Sequence, residues 1–115
     1  MTDSPIPEID VEAQEDLRDA LGDEDFDRLV EIFRDSLPAR IQEISQAILA
    51  DDAITMARAS HAMKGAAANL GFSGLAQLFS SLETKGKAND LTGTQELCAA
   101  ARSGSMATFP QLRWS

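Results

Sequence analysis

The run Ser60-His61-Ala62-Met63-Lys64-Gly65-Ala66-Ala67-Ala68-Asn69-Leu70-Gly71 sets both the fold and the chemistry of this 115-residue chain. At about 100° per residue, Met56, Ala59, Met63, Ala66 and Leu70 fall on one side of a helix. His61, the sole histidine, lies diametrically opposite that stripe. Lys64, Gly65 and Ala68, at i+3, i+4 and i+7, share its face. The spacing therefore predicts an amphipathic helix over 53–70. Its solvent side carries one imidazole, one ammonium and otherwise almost nothing bulky.

The flanks give this helix clear ends. Asp52 is placed to cap its start, and Gly71 stands where a helix terminus favours a left-handed residue. Upstream, Phe26, Leu29, Val30, Phe33, Leu37, Ile41, Ile44 and Ile48 recur at spacings of three and four. Pro38 interrupts the run, but the apolar register crosses it without a phase jump, which favours one long, kinked helix over 24–50. Before it, Asp10 caps a short helix to Leu21 with Val11, Leu17 and Leu21 as inner face. Gly22 stops that helix and Asp23 offers a second cap. Residues 1–9, with Pro5 and Pro7, read as a flexible lead-in.

Downstream, Ser73 is placed to cap a helix with Leu75, Leu78, Phe79 and Leu82 as its stripe, ended by Gly86. A last helix over 91–109 offers Leu91, Leu97, Cys98, Ala101 and Phe109 to the core, is weakened by Gly93 and Gly104, and stops at Pro110. Residues 111–115 form a tail. No strand alternation or internal repeat is present. Four sizeable helices joined by short turns predict an all-α fold, an antiparallel up-down four-helix bundle over 10–110. The short acidic helix packs at one end.

Composition narrows the function. Apolar residues at 43% and charged residues at 25% are ordinary for a soluble globular domain. No apolar run approaches the ~20 residues of a membrane span, and the first residues lack the pattern of a signal peptide. The lone Cys98 excludes an internal disulfide and fits a reducing cytoplasm. Of the nineteen acids, eleven lie in residues 1–27 beside a single base, Arg18, so the net charge of −9 resides in the first segment. That distribution argues against nucleic-acid binding. It forms either a solvated helix or a surface that steers a basic partner.

A lone histidine needs company for each chemistry it serves. A nucleophilic triad requires a hydroxyl or thiol beside the ring, but Ser60 projects about 100° away on the helix. A metal site wants another ligand one turn along, where Lys64 and Gly65 stand instead, so no metal is expected. Phosphoryl capture needs an accessible imidazole, a nearby cation and clearance for a docked partner. Lys64 supplies the cation; Gly65 and Ala68 supply the clearance. Glycine inside a helix costs about 1 kcal/mol relative to alanine, and Gly65 sits among four alanines, so it marks close approach by something else. With the turn centred on Phe72, Glu83 returns to the height of His61 and is placed to fix the imidazole tautomer.

The run His61-Ala62-Met63-Lys64-Gly65, with Gly71 ten residues after the histidine, resembles the signature of histidine-containing phosphotransfer (HPt) domains. The resemblance extends over roughly 24–105: the long helix with its Phe and mid-helix Pro, the acidic turn, the histidine helix and Leu82-Glu83. It implies a free-standing, bacterial-type, cytoplasmic carrier in a two-component phosphorelay. His61 would accept a phosphoryl group from a receiver aspartate or a histidine kinase and pass it to a response-regulator receiver. In that reading Lys64 stabilises the phosphoryl charge, Gly65 gives access, and Arg58 and Ala68 belong to the docking surface. Many family members carry Gln where Glu83 stands. Glutamate there is similar to the phosphoacceptor domain of chemotaxis kinases, which leaves both donors open. Ala66 replaces a frequent serine, and Met63 a leucine of similar volume. The chain would be a monomeric carrier without a kinase or ATP site, needing no cofactor of its own, since the Mg²⁺ would sit on the receiver. The other reading is an adaptor or inhibitor that uses the same face without being phosphorylated.

Overall fold

The computed structural model describes residues 6–114, so residues 1–5 of the expected lead-in and Ser115 lie outside the described residues. Five helices make up the fold: α1 (Val11–Leu21), α2 (Asp23–Leu49), α3 (Ala53–Asn69), α4 (Ser73–Lys87) and α5 (Thr94–Thr108). No strand occurs among the described residues. Helix α2 packs on α3 and α5, α4 packs on α3 and α5, and α1 rests on α2. The helices enclose a core of Leu37, Ile41 and Ile44 from α2, Met56, Met63 and Ala67 from α3, Leu75, Phe79 and Leu82 from α4, and Cys98 and Ala101 from α5. Burying each of the larger of these contributes about 1.5–3 kcal/mol. One end is closed by aromatic rings: Phe33 stacks on Phe72 at 5.3 Å, and Phe109 meets Phe72 edge-on at 5.5 Å.

The apolar register does carry α2 unbroken through Pro38. Asp10 and Asp52 cap α1 and α3 as expected, accepting from Ala13 N at 3.0 Å and Thr55 N at 3.1 Å. Gly71 closes α3 with φ of 83°.

Several local expectations are corrected. The inner face expected for α1 forms only in part: Leu17 is half-buried against the core, but no residue of that helix is fully buried, Val11 is 59% exposed and Leu21 is exposed too. Arg18 adds to that hold, lying 4.3 Å from the centroid of the Phe26 ring and 3.2 Å from both Asp23 and Asp27. Asp23 is therefore a partner of Arg18, and the cap position of α2 is Gly22. Leu29 is exposed because it lies about 60° off Phe26, at the edge of the α2 stripe.

Phe72, not Ser73, occupies the cap position of α4, while Ser73 Oγ donates to Glu8 O at 3.2 Å. That bond belongs to a clasp around the α3–α4 turn. Asp10 N donates to Gly71 O at 2.8 Å, Gly74 N to Glu8 O at 2.9 Å, and Gln14 Nε2 to Leu70 O at 3.0 Å. Pro7 also seats against Gly104, so Pro7 to Asp10 is fastened rather than loose, and Gly104 makes room for it. Gly86 does not end α4, which continues to Lys87. Helix α5 begins at Thr94, after Gly93 turns at φ of 75°, rather than at Leu91. In the tail, Leu112 and Trp114 pack against the core, with Arg102 stacked 4.9 Å over the Trp114 ring.

Candidate functional site: an exposed imidazole held by a buried carboxylate

Helix α3 buries Met56, Ala59, Met63 and Ala67, which turns His61 outward with 67% of its side chain exposed. Helix α4 buries Phe79 and Leu82 and presents Glu83 beside it, with only 5% of that side chain exposed. The two helices bring His61 Nδ1 within 2.7 Å of Glu83 Oε2. Lys64 Nζ lies 2.6 Å from the other carboxylate oxygen, Oε1. Lys87, one turn beyond Glu83, brings its Nζ to 3.1 Å from Oε2. One buried carboxylate is thus shared by an imidazole and two ammonium groups.

The charge state of Glu83 follows from these partners. The Lys64 hydrogen bond is the strongest influence; with those from Lys87 and His61 it outweighs desolvation and holds the carboxyl at about 2, against an ordinary 4.5. An ionised carboxylate only accepts, so the neutral imidazole must carry its hydrogen on Nδ1. Nε2 then keeps its lone pair on the outer side of the ring, with no protein partner among the described residues. The arrangement fixes the tautomer of the neutral ring on an exposed side chain.

The sequence-predicted residues gather as follows. His61, Lys64 and Glu83 form one cluster. Lys64 faces Glu83 rather than open solvent, which places it in the hydrogen-bond network as well as near the ring. Gly65 lies on the same side, and a Cβ built there meets nothing within 4 Å, so nothing in the chain itself requires glycine. Arg58 and Ala68 are exposed. Arg58 shares a hollow with Ala57, His61, Glu83 and Lys87, and Ala68 shares another with Lys64, Asp10 and Ser73. Lys87 was not foreseen from the sequence; its only signal is its position four residues after Glu83, on the same helix face. Ser60 is fully buried and does not join the site. No group of His, Cys, Asp and Glu able to hold a metal ion occurs among the described residues.

The chain also matches known proteins. The model of the Hpt domain family matches residues 28–113. The crystal structure of histidine-containing phosphotransfer protein B (HptB) from Pseudomonas aeruginosa PAO1 superposes with a TM-score of 0.81. The match covers 90% of this chain and 89% of that one at 22% identity, a likeness of fold. No curated protein matches significantly in sequence. The chain belongs to the Hpt domain family, the histidine phosphotransfer proteins of phosphorelays. Such proteins work with receiver domains and histidine kinases, and no helix among the described residues is long and apolar enough to cross a membrane.

Proposed function

We propose that His61 is the phosphoacceptor of a monomeric, cytoplasmic relay protein, built as an antiparallel up-down bundle of α2–α5 with α1 at one end. The observation that carries the reading is the 2.7 Å contact of Nδ1 with the buried Glu83, which leaves Nε2 outward and unprotonated. The Nε2 lone pair attacks phosphorus, an N–P bond forms, and the P–O bond to the donor's leaving oxygen breaks. The hydrogen stays on Nδ1, so the phosphorylated ring carries a positive charge that Glu83 offsets. Passing the group on reverses the electron flow: the acceptor carboxylate forms the new P–O bond, and the ring leaves as neutral imidazole. No proton has to move in either direction.

Lys64 turns from Glu83 toward the phosphoryl oxygens as their charge arrives, and Lys87 keeps a cation on the carboxylate. Gly65, Ala68 and Arg58 form the surface a receiver docks on, and Mg²⁺ belongs to that receiver. The chain acts as a covalent carrier rather than a kinase. Incubation with a phosphorylated receiver or an active histidine kinase tests this. Acid-labile, base-stable label is expected on the wild type and absent from His61→Gln. Binding without label would replace the carrier with an adaptor, and label surviving in His61→Gln would move the site elsewhere.

A further inference from the structure

The Glu83–His61 contact spans two helices, so its length depends on how closely α3 and α4 approach. One turn from the pair, four residues before His61 and three after Glu83, lie Ala57 and Gly86. Gly86 is buried inside α4. A Cβ built on it would stand 2.8 Å from Ala57 Cβ, 2.9 Å from Ala53 O and 3.1 Å from Ala57 Cα. Carbon atoms rest about 3.5–4.0 Å apart, so any side chain at 86 forces α4 away from α3 by a sizeable part of an ångström. Two of the three obstructing atoms are backbone and cannot rotate aside.

The contrast with Gly65 is informative: a Cβ there meets open space, whereas at Gly86 the space is filled by the partner helix. Glycine is a poor helix former, and here the close approach is what it allows.

We infer that Gly86 is a positioning residue of the phosphoacceptor site: its missing side chain sets the α3–α4 separation that lets Glu83 hold the Nδ1 hydrogen of His61. The inference rests on the carrier reading above. A hydrogen bond of 2.7 Å lengthened by most of an ångström reaches the limit at which such bonds count. The Lys64 contact at 2.6 Å, made to the same carboxylate, opens with it. The imidazole then samples both tautomers, and Nε2 is protonated for part of the time.

Because His61 is the sole histidine, ¹⁵N-histidine labelling gives a spectrum of this one ring. In the wild type the neutral ring is expected to show the single Nδ1–H tautomer. In Gly86→Ala the two nitrogen shifts are expected to move toward each other, with phosphoryl uptake slowed on the order of tenfold and cooperative unfolding retained. Ala57→Gly with Gly86→Ala, which removes the Cβ obstruction but leaves Ala53 O and the Cα at 57 in place, is expected to fall between Gly86→Ala and wild type on both measures. A folded Gly86→Ala with wild-type shifts and wild-type uptake would overturn the assignment. If Gly86→Ala does not fold, the double variant carries the test: a mixed tautomer supports the assignment and a wild-type spectrum overturns it. Absence of label on the wild type would sink the carrier reading alone, since the ¹⁵N spectrum reports the Gly86 contact without any phosphoryl donor.

Discussion

At the scale of single residues, Glu83 concentrates the chemistry, and its acidity makes it testable. Its folded pKa of about 2 lies below the ordinary 4.5, so the ionised form is favoured by folding. The resulting stabilisation is fully present above pH 4.5 and is lost as pH falls toward 2. Denaturant unfolding followed across that window should show a steep loss in the wild type and a shallower one in Glu83→Gln. A parallel decline in both would remove Glu83 from the acid response. Transfer rate against pH in the same variant should also change shape, because an amide can present its NH₂ as well as its oxygen to the ring. Lys64→Ala is expected to slow transfer roughly tenfold, the equivalent of one charge-assisted hydrogen bond in the transition state, with partner affinity largely kept. Loss of binding instead would make Lys64 a docking residue.

At the scale of helices, the strongest periodic signals in the sequence are those the structure keeps. The α2 register persists through Pro38, the caps at Asp10 and Asp52 form, and equal spacing about Phe72 does bring Glu83 to His61. Less legible was anything that depends on a distant segment. Gly86 and Gly104 read as a helix stop and a weak point because glycine is ambiguous without its neighbours. In space one admits α3 and the other admits Pro7. Lys87 reads as part of the following turn once Gly86 is taken as the end of the helix; only the continuation of α4 to Lys87 puts it on the face of Glu83.

Gly71 was placed correctly, and its replacement is a sharp test of the clasp. A residue with a Cβ there must adopt φ of 83° and meets Gln14 Cγ at 2.6 Å. Gly71→Ala should therefore lower stability by ~2 kcal/mol or more, read as a shift in urea midpoint with an unchanged slope. On the outer face of α3, Ile54 lies two turns before His61 on the same side and is 66% exposed. Under the carrier reading Ile54→Asp should weaken receiver association roughly tenfold while leaving stability intact. Unaltered association would confine the docking face to the C-terminal side of His61.

For the molecule as a whole, stability is unevenly distributed, and α1 is the part with least to hold it. A helix of 11 residues is too short to persist alone in water, and this one buries none of them. Its acids repel one another and those at the start of α2. What opposes that repulsion is Arg18, the only base in the first 27 residues, through Asp23, Asp27 and the Phe26 ring. The clasp from Pro7 to Gln14 fixes the helix's first turn, and beyond it Leu17 is only half-buried against the core. Native-state hydrogen exchange should accordingly find the α1 amides opening at far lower free energy than those of α3 and α4. Arg18→Met keeps the side-chain stem over Phe26 and removes both ion pairs, so it should speed exchange across Val11–Leu21. The α3 and α4 amides should keep their protection, because the contacts of Arg18 run to Asp23, Asp27 and Phe26 of α2. Equal acceleration in both regions would mean that α1 unfolds only with the whole chain, and that the acidic segment is as much a part of the cooperative core as the histidine helix.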